Sequence, residues 1–295
     1  MTPEPLSYVV VTPVRNEARN LPRLAESILA QTVRPGAWLV VDTGSTDRTP
    51  GVVAELAREY AWIRPSTLRG TGALERGGPI ARAFEAGFRS LEDRPDVVVK
   101  VDADVSFPDD YFERLLDRFG SDPSLGMASG TCTERDHGEW RERHVTGSTV
   151  WGAARAYRSE CLIAVLPLEQ RMGWDGVDEF RANARGWRTR TFKDLQFRHH
   201  RREGERDGSQ RRARRAQGHA AYFLGYRFWY LALRALWHAR KEPAALAMLQ
   251  GYVEAWAGKE PQCGDAEARL YLRTQQSIGR LPMRIREAFG RHVLT

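Results

Sequence analysis

The sequence has few of the features that mark secreted, disulfide-stabilised or membrane-spanning proteins. Its 295 residues include three cysteines, which are far apart and contain no Cys-x-x-Cys pair. An odd number of separated cysteines predicts neither a disulfide framework nor a zinc site, and it is typical of a reducing compartment. No basic segment followed by a long apolar stretch opens the chain, and no apolar run reaches the ~18 residues that a spanning helix needs. We therefore expect a cytoplasmic protein without a secretory signal or a transmembrane helix.

The composition is that of an ordinary globular protein with an excess of positive charge. Hydrophobic residues make up 42% and charged residues 28% of the chain, and the net charge is +7. A basic protein favours anionic partners, and nucleic acid, an acidic membrane surface and phosphorylated small molecules all meet this condition. The sequence motifs are needed to distinguish between these three classes of partner.

The first part of the chain alternates between short apolar runs and helical patterns. The apolar runs predict strands at residues 7–12, 38–41, 61–63 and 97–101. Strands that alternate with helices form a parallel sheet with helices on both faces, so we expect an α/β fold. Ligands bind such sheets at the carboxyl ends of the strands. Three polar segments follow strands at that edge: Pro13–Glu17, Asp42 and Asp102–Asp104.

The rest of the chain has a less regular pattern. From about residue 126 to 200 it mixes Gly- and Trp-rich turns with short strands, such as Arg188–Phe192 and Leu195–Phe197. Residues 201–218 are rich in Arg and Gly and predict a mobile linker. Residues 219–257 have a helical, aromatic pattern. We therefore divide the chain into an α/β domain, residues 1–205, and a helical, basic and aromatic-rich extension, residues 206–295.

Two carboxylates follow the strand at residues 97–101. In an extended segment Asp102 and Asp104 would share a face, and in a turn both could approach one cation. Hard oxygen ligands suit Mg²⁺ or Mn²⁺, and a diphosphate would supply further ligands. The alternative is a solvated turn that helps to cap the next helix. Taken alone, the Asp-x-Asp pair does not decide between these interpretations.

Another aspartate ends the second strand. Asp42 is followed by a Gly-Ser-Thr-Asp turn, whose residue types are those that a helix start prefers. We expect Asp47 or Thr46 to cap that helix. Asp42 is then free to accept a hydrogen bond from the N–H group of a nucleotide base.

The three segments occur together and in a fixed order along the chain. They read VVVTPVRNE at 9–17, VVDTGSTDRT at 40–49 and VKVDADV at 99–105. This set closely resembles the family 2 glycosyltransferases, which have the GT-A fold. The motifs of that family are an apolar strand with Pro-x-x-Asn-Glu, then Asp-Asp-Gly-Ser-x-Asp-x-Thr, then Asp-Ala-Asp. Asp42 matches the first Asp of the second motif, and Thr43 replaces the second Asp.

The resemblance implies a nucleotide diphosphate sugar as donor and Mn²⁺ or Mg²⁺ as cofactor. Asp42 would face the base, Asp102 would lie near the ribose and the metal, and Asp104 would bind the metal directly. Some family members place a histidine at the position of His199 as a further metal or phosphate contact; the alternative for the His199–His200 pair is a surface location. The implied nucleotide-binding residues are Pro13, Arg15, Glu17, Asp42, Arg82 and Asp102.

Such enzymes also need a general base that takes a proton from the acceptor hydroxyl. In the family this base is an Asp, usually preceded by Glu, at the start of a helix that ends about eleven residues later at a Gly-aromatic pair. Asp175 has that distance to Gly186, and Trp174 replaces the usual Glu. Asp178 lies one helical turn closer, in an Asp-Glu context. The spacing favours Asp175, and the alternative is that one of the two aspartates caps the helix.

The basic extension suggests a further partner. If residues 222–237 form one helix, Phe223, Tyr230 and Trp237 lie in one stripe, and Arg227 and Arg234 fall within about 60° of it. Because charge and aromatics are poorly separated, we expect the aromatics to pack on the α/β domain or on a second subunit. The arginines at positions 211, 212, 214 and 215 would attract an anionic membrane.

These observations predict an inverting, metal-dependent glycosyltransferase that acts on a saccharide or lipid-linked acceptor in polysaccharide or glycolipid synthesis. The expected partners are therefore the donor, the acceptor, the inner face of the cell membrane and a second copy of the chain, rather than nucleic acid. One rival is a sugar nucleotidyltransferase, which would carry a Gly-rich phosphate loop where this chain has residues 12–17. The other rival is a non-catalytic relative that binds nucleotide sugar or scaffolds a membrane complex.

Overall fold

A computed structural model describes residues 6–68, 77–136, 138–143, 149–201 and 209–288. The strands are β1 Tyr8–Val14, β2 Ala37–Asp42, β3 Ile63–Thr67, β4 Val97–Val101, β5 Val105–Ser106, β6 Leu125–Asp136, β7 Glu139–Glu142, β8 Ala154–Arg158 and β9 Arg188–His199. The helices are α1 Leu21–Leu29, α2 Thr49–Glu59, α3 Gly78–Arg89, α4 Tyr111–Ser121, α5 Ser159–Val165, α6 Trp174–Ala184, α7 Gln210–Leu224, α8 Phe228–Ala239, α9 Ala247–Ala257, α10 Ala266–Gln275 and α11 Leu281–Ala288.

The strands form one mixed sheet in the order β3-β2-β1-β4-β8-β6-β9-β5, with β7 beside β6. The four strands β3, β2, β1 and β4 are parallel, as the sequence predicts. From β8 onward the sheet is no longer mostly parallel, because β8 runs antiparallel to β4 and to β6. The register pairs Val14 with Asp42, so the carboxyl ends of β1 and β2 lie side by side.

Two hydrophobic layers cover the two faces of the sheet. Val10 of β1 packs in the layer that contains α1 and α4, whereas its neighbour Val11 packs in the layer that contains α3 and α5. This alternation follows from the two-residue period of a strand. Gly87 of α3 allows a close approach to β1, since a Cβ there would lie 2.6 Å from a methyl group of Val11.

Two short strands predicted from the sequence are parts of one longer strand. Residues 188–192 and 195–197 both belong to β9, which pairs in parallel with β6 across an irregularity in the register. Asp194 lies in the interruption, and its carboxylate accepts hydrogen bonds from Arg114 and Arg118 of α4. The polar pair at 193–194 therefore interrupts the hydrophobic pattern without ending the strand.

The predicted linker at residues 201–218 is wrong for the residues from 210 onward, which form the first part of α7. Residues 202–208 lie outside the described residues, and so does the boundary at residue 205. The arginines that indicated a linker form ion pairs within the extension: Arg214 with Glu242 and Arg215 with Glu254. Charge neutralisation by partners distant in sequence therefore stabilises a helix that the local composition does not predict.

The aromatic stripe predicted along residues 222–237 is also wrong. α7 ends at Gly225, which has a φ of +81°, and α8 begins only at Phe228. A glycine in the left-handed region is the usual end of a helix, since other residues adopt it at a cost. Phe223 therefore lies on a different helix from Tyr230 and Trp237.

The extension packs against α6, the helix that contains both predicted general-base residues. Phe223 of α7 forms a small buried cluster with Val177 of α6 and Cys263. Arg181 of α6 donates a hydrogen bond of 2.9 Å to Asp265, which caps α10. Among the residues described, none of the helices has the length and apolar character needed to cross a membrane.

We predict that Gly251→Ala destabilises the extension. α7 and α9 cross so closely at this position that a Cβ at Gly251 would overlap the carbonyl oxygen of Arg215. A lower midpoint of thermal unfolding, measured by circular dichroism, would confirm this. The matched control is Gly51→Ala in α2, where a Cβ would meet nothing within 4 Å. That substitution should stabilise the helix by about 0.5–1 kcal/mol. Equal effects of the two substitutions would contradict the close crossing.

Candidate functional site

The loops after β1 and β2 are joined by Asn16. Its side-chain oxygen accepts hydrogen bonds from the backbone N–H groups of Thr46 at 2.7 Å and Asp47 at 3.3 Å. Its own backbone N–H donates to the hydroxyl of Ser45 at 2.9 Å. Asn16 has a φ of +56°, a conformation that asparagine tolerates better than most residues. The Asn of the first motif therefore holds the loop of the second motif.

Asp42 organises the turn that follows β2. One of its carboxylate oxygens accepts hydrogen bonds from the backbone N–H groups of Gly44 and Ser45, at 3.0 and 2.8 Å. Among the described residues, the second oxygen has no hydrogen-bond partner. The N-cap of α2 is Arg48, without a side-chain cap, so neither Asp47 nor Thr46 caps the helix as predicted. Asp47 instead accepts from the backbone N–H of Thr49, the first residue of α2. Asp42 keeps one oxygen for a ligand.

A single arginine connects the first and third motifs. Arg201 donates two hydrogen bonds to Glu17, at 3.1 and 2.8 Å. The same guanidinium lies 3.1 Å from a carboxylate oxygen of Asp104. Glu17 and Asp104 are both buried, and a buried carboxylate is costly unless it is paired. Arg201 therefore compensates two negative charges at once and fixes the distance between the two motifs.

The other oxygen of Asp104 faces a histidine. Nε2 of His199 lies 3.4 Å from that oxygen, and Nδ1 lies 3.3 Å from Glu134. Burial lowers the pKa of His199, but hydrogen bonds to Asp104, Cys132 and Glu134 outweigh this effect and raise it to about 12. Burial also opposes ionisation of Asp104, yet His199 and Arg201 together hold the pKa of Asp104 below its usual range. Asp104 is therefore a carboxylate at neutral pH.

His199 and His200 point in different directions because successive side chains alternate along β9 and its end. A ring nitrogen of His200 lies 2.8 Å from the hydroxyl of Ser106, and its ring packs edge-on against Trp140. Burial and the nearby Arg23 and Arg198 lower the pKa of His200 to about 4. Of the two histidines, His199 is therefore the one that faces Asp104.

Asp102 is connected to the segment after β7 through a lysine. The Lys100 ammonium pairs with Asp102 and donates a hydrogen bond of 2.8 Å to the carbonyl oxygen of Gly152. The backbone N–H of Asp102 also donates to the carbonyl oxygen of Ala153. Lys100 is almost fully buried, whereas the side chain of Asp102 keeps 28% of its surface exposed. Asp102 therefore remains accessible from the solvent side of the pair.

Asp175 lies beside Gly152, on the other side of that segment. A Cβ at Gly152 would stand 3.2 Å from a carboxylate oxygen of Asp175. Asp175 is in the first turn of α6 and is partly exposed, and its backbone carbonyl accepts a hydrogen bond from Arg155. Its carboxylate forms no ion pair with any residue that the structure describes. The backbone at Gly152 therefore lies between the partly exposed Asp175 carboxylate and the Asp102–Lys100 ion pair.

Asp178, one turn further along α6, lies in the interior. It accepts a hydrogen bond of 2.7 Å from Arg155 and a short one from the Tyr157 hydroxyl. Burial raises the pKa of Asp178 to about 6, although Arg155 and Tyr157 oppose that increase. Glu179 accepts from the backbone N–H of Val150, and burial raises its pKa to about 8. Because Asp178 is 1% exposed, the geometry argues against the prediction that it acts as base and gives it a supporting position.

The edge of the sheet therefore carries four acidic side chains with different surroundings. Asp104 faces a histidine, Asp102 is paired but accessible, Asp42 has one unoccupied oxygen, and Asp175 is partly exposed. Carboxylate and imidazole ligands fit a divalent metal ion, and an unpaired carboxylate can accept a proton. Such an edge can bind a cation with its phosphate ligand and hold a base close by.

Comparison with known proteins identifies the family. The family described as "Glycosyl transferase family 2" matches residues 9–172, which is more than half of the chain. The chain belongs to glycosyl transferase family 2. The prediction of a glycosyltransferase of this family is thereby confirmed.

Two curated relatives are glycosyltransferases. An undecaprenyl-phosphate 4-deoxy-4-formamido-L-arabinose transferase of Pseudomonas aeruginosa is 30% identical over 188 residues, covering 58% of this chain and 53% of the relative. A beta-monoglucosyldiacylglycerol synthase of Synechocystis is 26% identical over 172 residues, covering 55% of this chain and 32% of the relative. The chain thus spans about half the length of the first of these relatives and about a third of the length of the second.

Solved structures confirm the GT-A fold. The Pyrobaculum calidifontis mannosyltransferase PcManGT, in complex with GDP-Man and Mn²⁺, superposes with a TM-score of 0.56 at 18% identity, over 96% of this chain and 84% of that chain. GalNAc-T7 with UDP, GalNAc and Mn²⁺ gives a TM-score of 0.61 at 11% identity, over 94% and 57% of the two chains. At these identities the likeness shows the fold alone.

The structure brings most predicted site residues of this glycosyltransferase to one edge. Pro13 lies in the last part of β1, next to Val41 of β2. Arg15, in the loop after β1, is partly exposed, and Arg82 is partly buried in α3. Glu17 binds Arg201 through its carboxylate rather than facing outward as a nucleotide ligand would. No contact to a ligand tests Pro13, Arg15 or Arg82, and their role in nucleotide binding stays a prediction.

Four residues that matter for the site are missed by the sequence analysis. They are the buried or half-buried partners of its carboxylates and of His199: Lys100, Glu134, Arg155 and Arg201. Lys100 carried a usable signal, because a lysine inside an apolar strand needs a nearby counter-charge. The other three pair with residues far away in the sequence, for which one sequence gives no indication.

We predict that Asp178→Ala destabilises the glycosyltransferase by about 3–5 kcal/mol, because it leaves the buried Arg155 without its closest counter-charge. Chemical denaturation followed by tryptophan fluorescence measures this loss. Tyr157→Phe, which removes a single hydrogen bond to the same carboxylate, should cost only about 1 kcal/mol. A stable Asp178→Ala variant that has lost sugar transfer would contradict the supporting position and make Asp178 a candidate base again.

Proposed function

We propose that this glycosyltransferase transfers a sugar from a nucleoside diphosphate sugar to an acceptor hydroxyl, with inversion at the anomeric carbon and with a divalent metal ion. The observation that carries the proposal is the arrangement of Asp102, Asp104, His199 and Asp175 around one edge of the sheet. A donor-binding set and a separate, partly exposed base are what a single displacement requires.

The donor nucleotide would bind across the ends of β1, β2 and β4. The free oxygen of Asp42 would accept a hydrogen bond from the base, and Asp102 would approach the ribose and the metal. The buried Lys100 pairs with one carboxylate oxygen of Asp102, and the exposed part of the Asp102 side chain would face the ligand. The solved relatives with GDP-Man and with UDP support this class of donor.

The residues present fit a divalent metal ion. An oxygen of Asp104 and Nε2 of His199 are 3.4 Å apart, close to the roughly 3 Å between neighbouring ligands of an ion bound at about 2.1 Å. Glu134 accepts from Nδ1–H, and a metal ion bound at Nε2 would replace the proton that Nε2 shares with Asp104. When bound, Mn²⁺ or Mg²⁺ would offset the negative charge that develops on the leaving diphosphate.

Cys132 does not belong to this ligand set. It forms a compact group with Glu134 and His199, but its sulfur is a soft ligand, whereas Mn²⁺ and Mg²⁺ prefer oxygen. Glu134 lies 3.3 Å from Nδ1 of His199, so we place the metal at Nε2.

Asp175 would act as the general base. The acceptor oxygen attacks the anomeric carbon while its proton moves to the Asp175 carboxylate, and the bond from the anomeric carbon to the diphosphate oxygen breaks. The diphosphate takes the bonding electron pair, so one displacement inverts the anomeric centre without an enzyme-bound sugar. Arg155 holds the base in place, because it binds the backbone carbonyl of Asp175 and the carboxylate of Asp178 together.

The acceptor would be a lipid-linked or membrane-embedded molecule. The two curated relatives are named for undecaprenyl phosphate and for a glucosyldiacylglycerol, and both of these are lipids. The net charge of +7 suits a protein that works at an anionic membrane surface. We therefore place the chain at the inner face of the cell membrane, in polysaccharide or glycolipid synthesis.

We predict that Asp175→Asn lowers the rate of sugar transfer about 10²–10⁴-fold, because the amide cannot take the acceptor proton. UDP-, GDP- and dTDP-sugars with Mn²⁺ are the donors to test, and the unfolding midpoint and the donor dissociation constant should remain close to those of the wild type. The matched control is Asp117→Asn on the exposed face of α4. Full activity of Asp175→Asn would favour a different base, and failure of the wild type to bind or turn over any donor would favour the non-catalytic relative.

We predict that Glu134→Ala weakens Mn²⁺ binding about 10–100-fold, because His199 loses the group that orients its ring. Titration of free Mn²⁺ by electron paramagnetic resonance, with nucleoside diphosphate present, measures this directly. Cys132→Ala should leave the affinity unchanged. An equal loss in both variants would make Cys132 a metal ligand and contradict this assignment.

A further inference from the structure

α8 carries apolar side chains on both of its faces. Leu231 and Ala235 are buried in a cluster with α7 and α9. On the opposite side Leu233 and Leu236 expose 47% and 57% of their surface. A helix that is apolar all round is normally buried, yet this outer face has no covering element among the residues that the structure describes.

The outer apolar face is continuous. At 100° per residue, Leu236, Trp229, Leu233 and Trp237 fall within about 100° of arc on the helix surface. The two tryptophans are partly exposed and lie at both ends of the helix. We call these four residues the outer face of α8. Tryptophan and leucine on one face of a short helix are typical of helices that lie in the interface between water and lipid.

The charges around the outer face have one sign. From Arg227 to Lys241 the sequence contains no Asp or Glu. Arg227, Arg234, Arg240 and Lys241 are exposed, and the guanidinium of Arg240 stacks on the ring of Trp237 at 3.5 Å. Basic residues beside an exposed apolar face complement an anionic surface.

We propose that the outer face of α8 docks the protein onto an anionic lipid bilayer, with the apolar residues entering the headgroup region and the basic residues contacting lipid phosphates. This inference rests on the proposed function in naming the lipid phase as the source of the acceptor. The membrane contact is thereby assigned to α8 rather than to the arginines of α7, to which the sequence analysis assigned it.

The arginines of α7 are less available to a membrane than the sequence predicts. Arg214 and Arg215 are neutralised by Glu242 and Glu254, so two of the four arginines first assigned to membrane attraction are already paired inside the extension. Gly225 ends α7, so Phe223 belongs to a different helix from Tyr230 and Trp237.

A second copy of the chain fits this surface less well than lipid. A twofold contact would place α8 of one protomer against α8 of its partner, since such a contact uses the same patch twice. Four cationic residues of each helix would then approach four of the other, without an acidic residue in either segment to compensate. An anionic bilayer removes this repulsion.

The position of α8 relative to the active site suits a lipid-linked acceptor. α7 packs on the start of α6, since a Cβ at Gly173 would lie 3.5 Å from Ala220 and 3.7 Å from Leu224. Asp175 follows Gly173 in the first turn of α6, and α8 follows α7 after a short turn. α7 therefore links α8, the docking helix, to α6, the helix that carries Asp175.

Flotation of the full chain with lipid vesicles tests the proposal. We expect the wild type to bind vesicles of phosphatidylcholine and phosphatidylglycerol, less so at high salt, and to bind pure phosphatidylcholine weakly. The double substitution Leu233→Glu, Leu236→Glu should lower binding about tenfold or more, since it removes apolar area and adds repulsion from the anionic surface. Arg240→Gln with Lys241→Gln should lower binding to the anionic vesicles about tenfold.

Leu270→Glu is the matched control, because Leu270 is 68% exposed on α10 and lies outside the outer face of α8. It should bind vesicles like the wild type, and every variant should keep wild-type transfer to a water-soluble acceptor. The proposal is overturned if the wild type ignores anionic vesicles at low salt, or if the Leu233, Leu236 variant binds them unchanged. It is also overturned if the wild type is a dimer that this variant dissociates. Vesicle binding without any donor binding or turnover would instead overturn the proposed function alone.

Discussion

The site depends on the compensation of negative charge at the carboxyl edge of the sheet. Six carboxylates come together there or directly behind it. Four of them have a cationic partner, and two of the four share Arg201: Glu17, Asp102, Asp104 and Asp178. Buried carboxylates without such partners would be protonated or would unfold the edge. Asp42 and Asp175 are the exceptions, since neither carboxylate forms an ion pair within the described part of the chain. Asp42 is held by backbone N–H groups instead. Asp175, which is partly exposed, is the residue to which we assign proton transfer.

The sequence predicts the local parts of this arrangement and misses the long-range ones. β1, β2 and β4, with the polar residues that follow them, are readable because a buried strand and its carboxyl end are neighbours in the chain. Arg201 is not readable in the same way, since it pairs with Glu17 from 184 residues away. The choice between Asp175 and Asp178 needed burial as well, because helical spacing brings either residue near the start of α6.

The extension shows how tertiary contacts can reverse an interpretation based on composition. An arginine-rich stretch predicted a linker, yet it forms a helix because acidic residues on later elements neutralise it. One glycine at the end of α7 then separates two aromatic sets that the sequence pattern merged. The surface that results is apolar, bordered by basic residues and close to the helix that carries Asp175. It gives the net charge of +7 a location in the fold.

Asp104 and His199 are the residues that we expect to hold a metal ion at the donor diphosphate. A crystal structure of the protein with Mn²⁺ and a nucleoside diphosphate, with data collected at the manganese absorption edge, would locate that ion. We expect one anomalous peak, about 2.2 Å from an oxygen of Asp104 and from Nε2 of His199, with the base near Asp42. A peak bound by Cys132 instead, or nucleotide bound at this edge without any peak, would show that these residues do not hold the ion.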